Sequence, residues 1–358
     1  GVIFQTEDQE YILFLAIHHI IADGWSMGIL IRESISIYES YVSRQKIELP
    51  PLPLQYADYA VWERNWLKGE KLEKQLGYWK KKLDGVATYK GFSTTRPKVE
   101  SFQGSKYSFR LDKELMQGLR LMSEKKAVTL FMNLLSAFKF LLHSYSKQSD
   151  IVVGTDVASR QEKSIELLIG FFVNQLVLRT DLSGNPSYTE LLERVRDVTL
   201  EAYSHQEVPF DKLVEVLKPE REGNSMPLFQ VKMVLQNNPL PPLSIPDLSI
   251  ELLEFHNNTA KYDLLLNLTE TVEGIVGYFE YSTSIFSLPM IELLFNQYEA
   301  ILKTVIVEPS IRLDKLQEVM TKVSHRQQLE QKQSLKAVGR EKLKNIRREG
   351  YTKSQTGD

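Results

Sequence analysis

The chain contains no cysteine. This absence excludes disulfide bonds, cysteine-ligated zinc sites and cysteine nucleophiles. No apolar run approaches the roughly 18 residues of a membrane helix, and no signal-peptide pattern stands at the start, so we expect no membrane partner. The net charge of −2 over 358 residues gives no reason to expect nucleic acid as a partner. A reducing, cytoplasmic location is the simplest expectation for such a sequence.

Two familiar motifs are also missing. There is no GxxxxGK[ST] phosphate loop and no HExxH metal motif. We therefore expect no metal site and no resident cofactor. The hydrophobic content of 42% and charged content of 25% are those of an ordinary globular protein. The length suits one large or two medium domains.

One stretch of polar residues follows an apolar run near the start. The run Tyr11–Ile17 has the length and composition of a buried strand, and His18 and His19 come directly after it. Because neighbouring side chains of a strand face opposite sides, we expect one imidazole to be held in the interior and the other to face a cleft. Ser26 is then a candidate N-cap for a helix that begins at Met27.

Asp23 lies just beyond the two histidines, where a buried carboxylate would need a cationic partner. A histidine pair with a nearby aspartate is often only a structural cluster held by hydrogen bonds. The alternative is a catalytic imidazole, and geometry decides between the two interpretations.

The rest of the chain alternates between helical and strand patterns, which predicts an α/β sandwich with mixed sheets. The segment Tyr56–Leu83 is predicted to form one long helix. A boundary near residue 93 divides the chain into a first domain, residues 1–93, and a second, residues 94–309. Residues 310–358 carry more Lys and Arg than Asp and Glu and few apolar residues, which predicts a basic tail, helical or disordered.

Five strings in the sequence resemble a known family. HHIIADGWS, beginning at His18, has the HHxxxDG signature of the condensation domains of nonribosomal peptide synthetases. Four later strings match further motifs of these domains in their usual order: VGTDVASR (Val153–Arg160), IGFFVN (Ile169–Asn174), HQEVPFDKLVE (His205–Glu215) and PLFQV (Pro227–Val231). Gln175 departs from the pattern, since the family usually has Thr there.

The resemblance covers about residues 2–305 and implies a two-lobed fold like that of chloramphenicol acetyltransferase. Two motifs that precede the histidine pair in the family do not occur here. We therefore expect the first lobe to be incomplete.

The resemblance also implies roles for individual residues. His19 faces the tunnel between the lobes and is the catalytic residue, while His18 packs inward. The other residues that support the site are Asp23, Gly24 and Arg160, with Asp23 paired to Arg160. The candidates for lining the tunnel are Trp25, Ser26 and Asn174. His205 is expected to order its own loop.

The implied reaction is amide formation between two carrier-bound groups. His19 either accepts the proton of the attacking amine or donates an N–H to the amine or the oxyanion. The expected partners are donor and acceptor peptidyl carrier domains and an adjacent adenylation domain, with this chain a monomer within a multidomain assembly. The carriers deliver the phosphopantetheine arms, since the chain has no carrier serine motif. Two alternatives stay open: a non-catalytic carrier-docking fragment, and a related acyl-CoA-dependent acyltransferase.

Overall fold

A six-stranded sheet with helices packed on it forms the largest part of the molecule. The structure is a computed structural model. It describes residues 1–86, 102–219, 226–236, 244–245, 248–253, 255–330 and 332–333. The predicted domain boundary near residue 93 lies outside the described residues, as does the predicted tail from residue 334 onward.

Helices and strands alternate along the described chain. The helices are α1 (Gly24–Val42), α2 (Tyr56–Trp66), α3 (Gly69–Leu83), α4 (Lys113–Lys125), α5 (Leu130–Ser146), α6 (Tyr188–Tyr203), α7 (Phe210–Leu217), α8 (Leu288–Val307) and α9 (residues 313–330). The strands are β1 (Val2–Glu7), β2 (Glu10–Phe14), β3 (Gly104–Leu111), β4 (Asp150–Val157), β5 (Asn174–Asp181), β6 (Val231–Gln236), β7 (Ser244–Ile245), β8 (Leu248–Ser249), β9 (Leu264–Thr271) and β10 (Gly274–Ser282).

The large sheet has the strand order β3-β10-β9-β6-β4-β5. Its outer pairs are antiparallel, whereas β6 runs parallel to both β9 and β4. The predicted mixed sheet in an α/β sandwich is confirmed. Because β4 and β5 are neighbours at one edge, their connection is free to extend away from the sheet. We call residues 158–173 the β4–β5 loop.

Helix α5 is the most deeply buried helix of the core. Leu134, Phe138 and Leu141 on it have no exposed surface, and α5 packs against α4, α6 and α8. Among the described residues no single helix has the length and apolar content of a membrane span. Helices α4 and α5 reach that content only as a pair bent by 105°.

Helix α3 also belongs to this core, although it lies in the predicted first domain. Trp79 on α3 is 1% exposed, and its indole N–H donates to the carbonyl of His205 at 2.9 Å. The prediction of one long helix over Tyr56–Leu83 is wrong, because the helix is interrupted between α2 and α3. Gly69 has φ +57° there, a left-handed conformation that glycine adopts easily and that interrupts a helix.

The first strands form a separate two-stranded hairpin, β1–β2. The prediction of a buried strand over Tyr11–Ile17 is wrong: β2 ends at Phe14, and both faces of the hairpin are open. Ile3 is 68% exposed and its cross-strand partner Leu13 is 60% exposed. The physical reason is that, within the described residues, the hairpin pairs with no other strand.

The beginning of the predicted basic tail packs against the core. Ile311, Leu313, Leu316 and Met320 are all buried, the last three on α9. The side-chain amide of Gln297 on α8 donates to the hydroxyl of Ser324 at 2.9 Å. Of the two forms predicted for the tail, helical or disordered, the structure shows a helix over residues 313–330, and its first turns pack on the core.

Candidate active site

Asp23 forms the N-terminal cap of α1. Its carboxylate accepts hydrogen bonds from the backbone N–H of Ser26 at 2.8 Å and from the backbone N–H of Phe172 at 3.0 Å. Burial alone would raise the pKa of Asp23, but these hydrogen bonds, the Ser26 hydroxyl and the Arg160 guanidinium together hold it below its ordinary value. The predicted cap at Ser26 is wrong, because the helix begins at Gly24 and the carboxylate already satisfies the first free amide.

Arg160 pairs with Asp23 as predicted. Its Nη2 lies 3.2 Å from Oδ1 of Asp23, and the two side chains are 1% and 3% exposed. Nη1 of Arg160 donates to the carbonyls of Ile165 at 2.8 Å and Leu168 at 2.7 Å. Its guanidinium also lies 4.0 Å from the ring centroid of Phe172. The buried cation therefore fixes the β4–β5 loop as well as the carboxylate.

Ser26 joins the start of α1 to the β4–β5 loop. Its hydroxyl oxygen lies 2.8 Å from the carbonyl of Gly170 and accepts the N–H of Gly170 at 3.1 Å. Nη2 of Arg160 donates to the same oxygen at 2.9 Å. Ser26 has no exposed surface. Its predicted place on a tunnel wall is therefore wrong, because the side chain lies wholly within this buried contact.

His19 lies on a turn rather than on a strand. The turn is closed by a hydrogen bond from the N–H of Ile21 to the carbonyl of His18 at 3.1 Å. Nδ1 of His19 lies 2.7 Å from the carbonyl oxygen of Ala22. Because a carbonyl can only accept, Nδ1 carries the proton, and Nε2 of the neutral ring is left with its lone pair. The residue is exposed, so this lone pair is accessible from outside the protein.

His18 does not pack inward, which corrects the sequence expectation. The residue is exposed, and its Nδ1 accepts a hydrogen bond from the N–H of Ile20 at 3.2 Å. The resemblance implied this inward packing, and a strand that continued to the histidines would have required it of one of the two. Since β2 ends at Phe14, the strand alternation does not reach positions 18 and 19.

Gly24 and Trp25 form the first turn of α1. A Cβ built on Gly24 would meet no other atom within 4 Å, so the space beside its Cα is open. Trp25 is half-buried, and its indole N–H donates to the carbonyl of Glu166 at 3.0 Å. Trp25 thus adds another tie to the β4–β5 loop; its place on a tunnel wall stays a prediction.

Asn174 fixes a loop and does not offer a free donor. Its amide nitrogen donates to the carbonyls of Gln206 and Val208, both at 2.8 Å. Its side-chain oxygen accepts the N–H of Phe210 at 3.0 Å and that of Gln175 at 2.8 Å. Both donors are used, so the predicted role as a tunnel-lining donor is wrong.

A family model for the condensation domain matches residues 2–329. The chain belongs to the condensation domain family. Its sequence is 44% identical over 309 residues to a component of the linear gramicidin synthase of Brevibacillus parabrevis, covering 85% of this chain and 6% of that protein. It is 43% identical over 292 residues to malpinin synthetase of Mortierella alpina, covering 81% of this chain and 4% of that protein. The chain therefore spans only a small part of these relatives.

Solved structures have the same fold. The X-domain from teicoplanin biosynthesis superposes with a TM-score of 0.75 at 27% identity, covering 83% of this chain and 70% of that one. The first condensation domain of the calcium-dependent antibiotic synthetase, in complex with a substrate analogue, superposes with a TM-score of 0.70 at 17% identity, covering 83% and 67%. The predicted family and the predicted chloramphenicol acetyltransferase-like fold are confirmed.

Two residues that the family motifs did not single out also contribute to the site. Phe171 touches the ring of His19, with the centroids 5.1 Å apart and the planes at 87°. Tyr56 on α2 donates its hydroxyl to the carbonyl of Phe171 at 2.8 Å. Phe171 lies within the IGFFVN string, whereas Tyr56 lies within none of the five strings. No local feature of the sequence indicated a contact between residues 115 positions apart.

His205 orders its own loop, as predicted. Its Nδ1 lies 2.8 Å from the carbonyl of Glu201, and its ring stacks on Tyr78 with the centroids 3.9 Å apart.

In the part of the chain that the structure describes, no group of three or more His, Asp or Glu side chains could hold a metal ion.

Proposed function

We propose that the chain catalyses amide bond formation between a donor acyl or peptidyl thioester and an acceptor amine, each held on the phosphopantetheine arm of a carrier domain. The observation that carries this proposal is the state of His19. Its Nδ1 proton is engaged by Ala22, its Nε2 has no hydrogen-bond partner among the described residues, and the residue is exposed. An imidazole protonated at Nδ1 can accept a second proton at Nε2.

The reaction assigns each atom a destination. The acceptor nitrogen attacks the thioester carbonyl, and Nε2 of His19 takes the proton that the nitrogen must lose. The tetrahedral intermediate then expels the donor sulfur as a thiolate when the carbon–sulfur bond breaks, and the thiolate takes the proton from Nε2, which leaves a free thiol and a neutral His19. The other role considered for His19, donation of an N–H to the amine or the oxyanion, has less support, because the N–H of this tautomer already donates to Ala22.

Gly24 contributes an open approach to the start of α1. A Cβ at this position would meet no other atom of the described residues within 4 Å, so packing does not explain a glycine here. Close approach of a bound substrate is the explanation that this proposal offers. Donor and acceptor carrier domains are the partners that this chemistry requires. An adenylation domain would supply the activated amino acid to the acceptor carrier.

A second candidate is a non-catalytic module that binds carriers. The observation in its favour is the β1–β2 hairpin, whose open apolar faces lie four residues before His18. Such a surface is costly in water and is typical of an interaction site. A carrier-docking module would bind loaded carriers without forming product.

Incubating the chain with a donor and an acceptor carrier, each loaded with an aminoacyl-phosphopantetheine, tests both candidates. We expect mass spectrometry to detect a dipeptidyl group on the acceptor carrier. Binding of both carriers without product would favour the docking module. Product formed equally well from aminoacyl-CoA, without carriers, would favour an acyl-CoA-dependent acyltransferase.

Alanine substitutions at two glycines are expected to have different effects, one on turnover and the other on stability. Gly24→Ala is expected to lower turnover by roughly tenfold without lowering the melting temperature, because the added methyl group meets only the substrate space. Gly170→Ala is expected to destabilise the fold by about 1–3 kcal/mol, since its Cβ would lie 2.2 Å from Cδ2 of Tyr56. Thermal melts and turnover assays of both variants check this. A lower melting temperature for Gly24→Ala would contradict the assignment.

A further inference from the structure

The imidazole of His19 is held at two points. One is the hydrogen bond from Nδ1 to the carbonyl of Ala22 at 2.7 Å, and the other is the T-shaped contact with Phe171 at 5.1 Å. A single hydrogen bond at Nδ1 would still allow the ring to swing about the N···O direction. The direction in which Nε2 points is therefore fixed only when a second contact restrains the ring.

The backbone of Phe171 is anchored on both sides. Gly170 exchanges hydrogen bonds with Ser26, and the N–H of Phe172 donates to Asp23 at 3.0 Å. The carbonyl of Phe171 itself accepts the hydroxyl of Tyr56 at 2.8 Å. Hydrogen bonds between surrounding side chains and the main chain of residues 170–172 thus hold Phe171 in place.

The side chain of Phe171, by contrast, contributes little to the core. It is 40% exposed, whereas its neighbour Phe172 is 4% exposed and packs with Tyr56 and Tyr59. Partly exposed apolar side chains are common, so exposure alone assigns no role to this ring. What distinguishes Phe171 is its contact with the imidazole of His19 on an anchored backbone.

We propose that Phe171 is a positioning residue that sets the orientation of the His19 imidazole, and that Tyr56 holds Phe171 in place for this purpose. The inference rests on the proposed function only for its effect on turnover, since the orientation of the ring is a property of the protein alone. Phe171 acts through the imidazole, by restraining the direction in which Nε2 points.

Kinetics of a substitution series test the role of the ring. Phe171→Ala and Phe171→Leu are expected to lower kcat by about tenfold, with KM changed less than about twofold, because a misdirected base slows chemistry more than binding. Phe171→Tyr keeps the ring and should restore kcat. Tyr56→Phe removes only the hydroxyl and should lower kcat by roughly threefold, the cost of a neutral hydrogen bond that rigidifies the loop.

Ile169→Ala is the matched control. Ile169 lies in the same loop and is 38% exposed, against 40% for Phe171, so the two substitutions remove side chains of similar burial. We expect Ile169→Ala to leave kcat unchanged. Equal losses of kcat in Ile169→Ala and Phe171→Ala would overturn the proposal, as would an undiminished kcat in Phe171→Ala.

A spectroscopic measurement decides the same question without turnover. The chain has six histidines, and the His19 ring signals can be assigned by their absence in His19→Gln. In wild type we expect a nuclear Overhauser effect between the rings of His19 and Phe171 and ¹⁵N shifts of a single Nδ1-protonated tautomer. In Phe171→Ala the nuclear Overhauser effects from the His19 ring protons to the turn residues should weaken as the ring swings, while the ¹⁵N shifts keep the Nδ1-protonated pattern, because the hydrogen bond to Ala22 remains.

Unchanged nuclear Overhauser effects from the His19 ring to the turn in Phe171→Ala would overturn the proposal. The two proposals fail separately. If wild type makes no product, the proposed reaction fails, yet the Overhauser effects of His19 still decide whether Phe171 orients the ring.

Discussion

Replacing His19 with alanine is expected to lower product formation between loaded carriers by about 10²–10⁴-fold, the usual contribution of a general base. The physical reason is the free lone pair on Nε2, which the hydrogen bond between Nδ1 and Ala22 secures. His19→Gln tests the same point with a side chain that keeps a polar end but cannot take up a proton. Single-turnover measurements with preloaded carriers would separate the chemical step from carrier binding.

His18 is the matched control for this experiment. It is the adjacent residue, of the same type, and is also exposed, but its Nδ1 accepts a local backbone N–H. We expect His18→Ala to lower product formation by less than about tenfold, since only the shape of the turn is affected. Unchanged product formation in His19→Ala would remove this imidazole from the mechanism, and equal losses in both variants would indicate a structural role for the pair.

The local parts of this molecule could be predicted from sequence, because periodicity and turn residues determine them. The alternation of helical and strand patterns indicated the mixed sheet and the helices packed on it. The same reasoning did not indicate that residues 311–320 pack against the core. There the apolar residues Leu313, Leu316 and Met320 have helical spacing, but abundant basic residues nearby conceal the pattern.

The two histidines show why side-chain direction is harder to predict than residue identity. The resemblance identified His19, yet the expected orientation of His18 depended on where β2 ends. A strand that stops four residues earlier replaces alternation by the geometry of a turn. Strand ends depend on pairing partners, which a single sequence does not show.

Some contacts across the site could be predicted from the sequence, and others could not. The pairing of Asp23 with Arg160 could be inferred, because a buried carboxylate requires a cation and the motifs offered one. Asn174 was expected to line a tunnel, but its hydrogen bonds to Gln206 and Val208 arise from a tertiary contact over 32 and 34 residues. Polar side chains have several possible partners, and only the folded chain selects among them.

Arg160→Ala is expected to destabilise the fold by about 3–5 kcal/mol, because it leaves the carboxylate of Asp23 buried without its cation. Arg160 also holds the carbonyls of Ile165 and Leu168, which would lose a charged donor. Since the folded-state pKa of Asp23 lies below its ordinary value, its contribution is present at neutral pH and is lost as the pH falls through that lower value. Urea denaturation at neutral pH measures the change.

Two further variants serve as controls for Arg160→Ala: Arg160→Lys, and an alanine substitution at a solvent-exposed arginine. Lysine keeps the charge but cannot reproduce the fork that reaches Asp23, Ile165 and Leu168 together, so we expect it to recover only part of the stability.

Arg326 forms an ion pair with Glu330, but the two side chains are 83% and 60% exposed. Arg326→Ala should therefore leave the melting temperature unchanged. A double-mutant cycle with Asp23→Asn isolates the coupling between the buried partners. If Arg160→Ala melted at the wild-type temperature, the buried pair could not be what fixes the β4–β5 loop to the start of α1, and the orientation of His19 would need another cause.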